Sequence, residues 1–130
     1  MIKDQFATYE ISLKLKELGF NEECLAIYIN LVLKPIIQKP ISGEFNYKFK
    51  SVRNSVIVNS ENCSAPLWQQ VIDWFRDKHN LDVIISSNLL GYGFIIYNRY
   101  PPKNILDNRV FQTYFEAREQ AIFKALELIK

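Results

Sequence analysis

Asp82-Val83-Ile84-Ile85-Ser86-Ser87, then Asn88-Leu89-Leu90-Gly91-Tyr92-Gly93, then Phe94-Ile95-Ile96-Tyr97-Asn98-Arg99, is the stretch that decides the fold. Two runs rich in β-branched and aromatic residues flank a segment whose glycines supply the backbone freedom that a reversal needs. The spacing predicts an antiparallel hairpin. Tyr100-Pro101-Pro102 ends its second strand, because proline has no N–H to give a ladder.

Helical signals lie on both sides of this hairpin. Downstream, Thr113-Tyr114-Phe115-Glu116 reads as a capping box, with the hydroxyl taking the N3 amide and the carboxylate returning to the cap amide. A helix to Lys130 follows, with Phe115, Ile122, Leu126 and Ile129 on its inner face. Upstream, Ser64 before Ala65-Pro66 reads as a cap with proline in the first turn. The helix that follows should run to about Lys78, with Leu67, Trp68, Val71, Ile72, Trp74 and Phe75 on one arc.

Nearer the start, Thr8 predicts a helix to about Leu18 with Ile11, Leu15 and Leu18 as its core stripe. Gly19 takes the left-handed closing position, with Phe20 folded back against the helix. Alternation from Cys24 to Leu33 predicts a strand, and Pro35 and Pro40 make residues 34–43 a connection or an edge. Glu44 to Lys50 alternates again, and Ser55 to Asn59 is expected to pair beside it. The resulting order is helix, three strands, helix, two strands, helix. The expected architecture is therefore one α+β domain over residues 1–130, a mainly antiparallel sheet of about five strands packed with three helices.

With 48% hydrophobic and 14% aromatic residues, the chain has enough apolar side chains to offset the entropy cost of ordering. No apolar run approaches the length that spans a bilayer, and the first residues lack a secretory apolar core. Cys24 and Cys63 are well separated and have no CxxC partner, so they read as buried reduced thiols. These features together suit a cytoplasmic protein without membrane contact. A net charge of +2 is too small to imply nucleic acid by itself.

Catalytic and metal chemistry find little to stand on. His79 is the only histidine, placed at a helix C-terminus where a cation is favoured, and it reads as a cap because no further ligands flank it. Neither cysteine carries a nucleophile signature. Gly91-Tyr92-Gly93 feeds a strand, whereas phosphate loops feed a helix, so it reads as a hairpin. The carboxylates, among them Asp73, Asp77 and Glu116 through Glu127, fall on solvated helix faces. No cofactor and no metal are expected.

Thr8-Tyr9-Glu10 leading to Leu15-Lys16-Glu17-Leu18-Gly19-Phe20, then Ser64-Ala65-Pro66-Leu67-Trp68-Gln69 with Trp74-Phe75-Arg76, then Tyr114-Phe115-Glu116-Ala117-Arg118, resembles a family of small uncharacterised proteins from gut bacteria and their phages or mobile elements. The resemblance spans most of the chain and is weakest from Leu31 to Asn62. It implies an α+β fold and carries over no activity or site residue.

Two surfaces carry functional expectations. Tyr9 and Leu13 form an i,i+4 pair away from the Ile11, Leu15, Leu18 stripe, and Phe123 projects among Glu116, Glu119 and Glu127. These three residues are the candidate interface for a protein partner or a homodimer. From Lys34 to Arg53 the basic residues Lys34, Lys39, Lys48, Lys50 and Arg53 interleave with Phe45, Tyr47 and Phe49. Lys48, Lys50 and Arg53 are therefore the candidate nucleic-acid contacts, although alternation places the aromatics on the opposite face. The favoured reading is a small non-catalytic protein-binding, inhibitor or adaptor protein. The alternatives are a nucleic-acid-binding accessory and an enzyme with an unrecognised site.

Overall fold

Thr8 acts as its place before Tyr9-Glu10-Ile11 predicts. Its backbone is extended and its hydroxyl accepts the Ile11 N–H at 3.4 Å, which opens α1 (Tyr9–Glu17). At the other end Gly19 takes φ +94°, the Phe20 N–H donates to the Leu15 carbonyl at 2.8 Å, and the Gly19 N–H donates to Lys16 at 3.1 Å. This paired closure buries the Phe20 ring, as the sequence predicts. The structure, a computed structural model, describes residues 2–38, 48–49, 51–107 and 109–129. The chain divides into two compact units, Met1–Trp68 and Gln69–Lys130.

The class is α+β, but the single sheet expected from the strand count is replaced, among the described residues, by two three-stranded antiparallel sheets and a separate two-stranded pair. In the first unit the alternating run that reads as one strand is a hairpin, β1 (Ala26–Ile29) and β2 (Val32–Pro35). It reverses at Asn30 and Leu31, which hold φ at +52° and +69°. Alternation cannot reveal this turn, since a two-residue reversal leaves the period intact. Two short strands follow, β3 (Ile37–Gln38) and β4 (Lys48–Phe49), paired with each other. The rest of the expected Glu44 to Lys50 strand lies outside the described residues.

The strand expected from Ser55 to Asn59 is instead a 3-10 turn over Asn54–Val56. Asn54 holds it from inside: its amide donates to the Phe20 carbonyl and its Oδ1 accepts the Ser64 N–H, each at 2.8 Å. Ser64 is therefore not a helix cap. It lies in β5 (Cys63–Ala65), which pairs antiparallel with β1 to give the order β2-β1-β5. Pairing between distant segments outweighs the local capping preference of a serine. The core of this unit gathers Phe6, Ala26, Tyr28, Cys63 and Ala65, and the Tyr28 hydroxyl donates to the Ala7 carbonyl at 2.7 Å.

Helix α2 (Trp68–His79) starts after Pro66 and ends at Asn80, whose φ of +56° is the left-handed closure that asparagine tolerates. Trp68, Val71, Trp74 and Phe75 are buried, as their arc predicts. The predicted hairpin follows as β6 (Leu81–Asn88) and β7 (Gly91–Arg99). Tyr100-Pro101 ends β7, yet Pro102 then starts β8 (Pro102–Leu106), a strand that the sequence reading omits. A proline is acceptable there because β8 is an edge.

The last helix is α3 (Tyr114–Leu128), lying on β6 and β7. Thr113 caps it, its hydroxyl accepting the Glu116 N–H at 3.1 Å. The Glu116 carboxylate takes the Thr113 hydroxyl at 3.2 Å rather than the expected cap amide. Thr113→Ala should cost about 0.5–2 kcal/mol, read as a lower denaturant midpoint, and an unchanged midpoint would reject the cap. The inner face is Ala117, Ala121, Ile122, Ala125 and Leu126. Phe115, expected inside, is 53% exposed. The run of alanines lets the helix lie close to the sheet and leaves the bulkier ring outside it.

Candidate functional site

Alternation along β6, β7 and β8 sorts their side chains onto two faces. Leu81, Val83, Phe94 and Ile96 are buried on the inner face with Ile105 opposite Ile96. The other face carries Ile84 opposite Ile95, which is itself opposite Leu106, in one row across all three strands. Ile84 is 44% exposed and Leu106 is 65% exposed. Beside this row Tyr97 is half-buried, and Arg99 closes the end with two bonds to the Asp82 carboxylate at 2.8 and 3.0 Å. A sheet face that meets only water normally alternates toward polar residues, so this row is an apolar surface without a partner among the described residues.

The hairpin tip carries two further exposed apolar residues. Asn88 Oδ1 accepts the N–H groups of Leu90 and Gly91 at 2.8 and 3.1 Å, and the leucines it displays, Leu89 and Leu90, are almost wholly exposed. Behind the tip Tyr92 and Phe111 exchange backbone bonds at 2.9 and 2.8 Å. The Tyr92 ring meets Tyr114 edge-on at 6.1 Å, and the Arg118 guanidinium lies over the Tyr114 and Phe115 rings at 5.4 and 4.9 Å. An open groove of about 230 Å³ lies along Phe111, Glu116, Glu119 and Gln120. Its carboxylates are Glu119 and Glu116, the latter accepting the Thr113 hydroxyl at 3.2 Å.

No family model, curated protein or solved structure matches this chain.

Of the sequence-predicted interface residues, Tyr9 and Leu13 lie on α1 in the first unit and Phe123 on α3 in the second. Tyr9 and Leu13 pack against the core cluster of the first unit, Tyr9 meeting Tyr28 edge-on at 5.6 Å with its hydroxyl donating to the Glu61 carbonyl at 2.7 Å. Both side chains are half-buried there. Phe123 is half-buried on α3 in the other unit. Of the basic candidates, Arg53 is committed within the fold, donating to the Asn21 carbonyl at 3.1 Å and pairing with Glu23 at 3.5 Å. Lys48 contributes backbone to β4, while Lys50, Lys39, Phe45 and Tyr47 lie outside the described residues.

Cys24 and Cys63 are free and buried, and burial pushes both thiols up to about 11, the wrong direction for a nucleophile. Among the described residues no three His, Cys, Asp or Glu side chains gather as a metal would need, and no helix is long and apolar enough to cross a membrane.

His79 is the last residue of α2, the C-terminal position expected of it. Its ring lies 4.6 Å from Trp74, and burial lowers its pKa below the ordinary 6.5, favouring the neutral form. Because the unfolded chain binds this proton more readily, the contribution of His79 to stability is complete above about 6.5 and is lost as pH falls toward the lowered native value. Denaturant midpoints should therefore decline over that interval, and His79→Gln should flatten the decline. An unchanged profile would contradict the placement.

The residues that sequence reasoning missed are Ile84, Ile95 and Leu106. A signal was present, since Val83-Ile84-Ile85 and Phe94-Ile95-Ile96 are continuous apolar runs, which suit strands covered on both faces. Only the register shows which face lacks its cover.

Proposed function

We propose that this chain is a small non-catalytic protein-binding module of a phage or other mobile element, and that it binds through the second unit. The observation that carries the reading is the row Ile84, Ile95, Leu106, aligned by strand register on an uncovered sheet face. Burying such a row gains free energy in proportion to the apolar area removed from water, and it makes no use of the long-range charge that nucleic acid requires. This reading centres on the sheet of the second unit, whereas Tyr9, Leu13 and Phe123 are the sequence candidates. The nucleic-acid alternative is weakened by Arg53, whose guanidinium is already bonded to Asn21 and Glu23.

The test compares substitutions on the two surfaces. Purified from the cells that make it, the wild type should carry a protein partner through high salt, since apolar contacts resist screening. Leu106→Lys should release that partner, and the double change Lys48→Glu with Lys50→Glu should retain it. Tight binding of nucleic acid that the lysine changes abolish, with a steep salt dependence, would replace this reading with the accessory-protein one.

A further inference from the structure

The sheet of the second unit has two edges, and they are built differently. The Arg99 N–H donates to the Asn80 carbonyl at 3.1 Å, which extends the register of Leu81 opposite Asn98 by one pair. Opposed residues of an antiparallel ladder alternate between bonded and non-bonded pairs, so the even-numbered residues of β6 turn their backbone groups toward β7. The Tyr92–Phe111 exchange on the far side of β7 fits the same parity. Leu81, Val83, Ile85 and Ser87 therefore direct their N–H and C=O groups to the outer edge of β6, where no strand pairs among the described residues.

On β8 the outward positions are Pro102, Asn104 and Leu106. Pro102 has no N–H, Lys103 is exposed beside it, and beyond Leu106 the chain is held by the Asp107–Arg109 ion pair at 2.6 Å. These are the devices that stop an edge from recruiting a strand. β6 has none of them: no proline and no lysine interrupt it, and its one charge, Asp82, is neutralised by Arg99.

We propose that β6 pairs antiparallel with β6 of a second copy of this chain, about a two-fold axis at Ile84, joining two three-stranded sheets into one. The proposal rests on the protein-binding reading and names one partner. In this register Ile84 faces Ile84 of the second copy, Val83 faces Ile85, Asp82 faces Ser86 and Leu81 faces Ser87. Odd-numbered residues meet odd-numbered residues, so the outward N–H and C=O groups of each copy find those of the other. Ile84 falls in a non-bonded pair, where opposed side chains approach most closely. On the inner face Val83 and Ile85 make apolar pairs, and on the open face the rows Leu106, Ile95, Ile84 of the two copies run on end to end. The interface is isologous and closes at two copies, leaving the guarded β8 edges outermost.

The test is light scattering of the full chain across a wide concentration range, with residue-resolved amide exchange. The expected mass is twice 15.3 kDa at the upper end. Ile84→Lys sets like charges opposite one another at the axis and should raise the monomer–dimer midpoint about tenfold or more. Ser87→Pro removes an outward N–H while sparing the ladder to β7, and should shift the midpoint the same way. Leu106→Lys, two strands away, should leave it in place. Amides of Leu81, Val83, Ile85 and Ser87 should exchange slowly in the wild type and quickly in Ile84→Lys. A mass of 15.3 kDa at every concentration, or a dimer indifferent to both β6 changes, overturns the proposal. A monomer that still loses its partner on Leu106→Lys rejects the dimer alone, whereas a dimer that keeps its partner in Leu106→Lys rejects the open-face reading alone.

Discussion

Phe75→Ala should destabilise the protein by about 3–5 kcal/mol, the range for removing a large aromatic side chain from a packed interior. Phe75 is fully buried in the middle of α2, with the Trp74 ring 5.3 Å away and the His79 ring 6.4 Å away. Truncation removes its transfer free energy and leaves a cavity that Trp74, itself 5% exposed, can fill only by leaving its place. The loss should appear in denaturant unfolding as a lower midpoint with little change in slope. Because the total stability of a domain is commonly only 5–15 kcal/mol, the variant should be close to unfolding at moderate temperature. A cost under about 1 kcal/mol would mean that Phe75 is not packed as described.

Gly91→Ala should cost about 1–3 kcal/mol from backbone strain alone, with the steric contact adding to it. Gly91 holds φ +145°, a conformation L side chains rarely adopt, and a Cβ built there lies 2.5 Å from the Phe111 carbonyl oxygen. That oxygen accepts the Tyr92 N–H, so relief requires the Phe111 segment to leave the end of β7. Gly93 is the internal control: its Cβ would meet Ser86 Oγ at 3.8 Å and the Arg109 carbonyl at 3.9 Å, ordinary contact distances. Gly93→Ala should therefore cost much less than Gly91→Ala. Equal costs would show that strand propensity, and not the approach of Phe111, governs this corner.

Features decided by neighbours in the chain are legible in this sequence. Thr8, Gly19 and Thr113 satisfy amides and carbonyls within one turn, so their roles follow from spacing alone. The β6–β7 hairpin is legible for the same reason. Ser64 is not, because its N–H is claimed by Asn54, ten residues earlier, and its strand by β1. The partial burial of Tyr9 and Leu13 is not legible either, because a helical wheel shows one stripe, while this pair packs against a cluster assembled from distant segments. The candidate surface was hidden by a single omission. Without β8 there is no Leu106, and Ile84 and Ile95 look like ordinary members of buried runs. Strand register, a long-range property, turned three scattered residues into a row.

If the open face of the second unit binds protein, native mass spectrometry at physiological ionic strength will register the bound mass. Wild type and Leu106→Lys should both be drawn from the cells that make the protein and measured side by side. The wild type should carry the mass of another protein in addition to its own 15.3 kDa chains, and the variant should appear without it. Identical spectra for the two proteins, or a wild type that carries only nucleic acid, would contradict it.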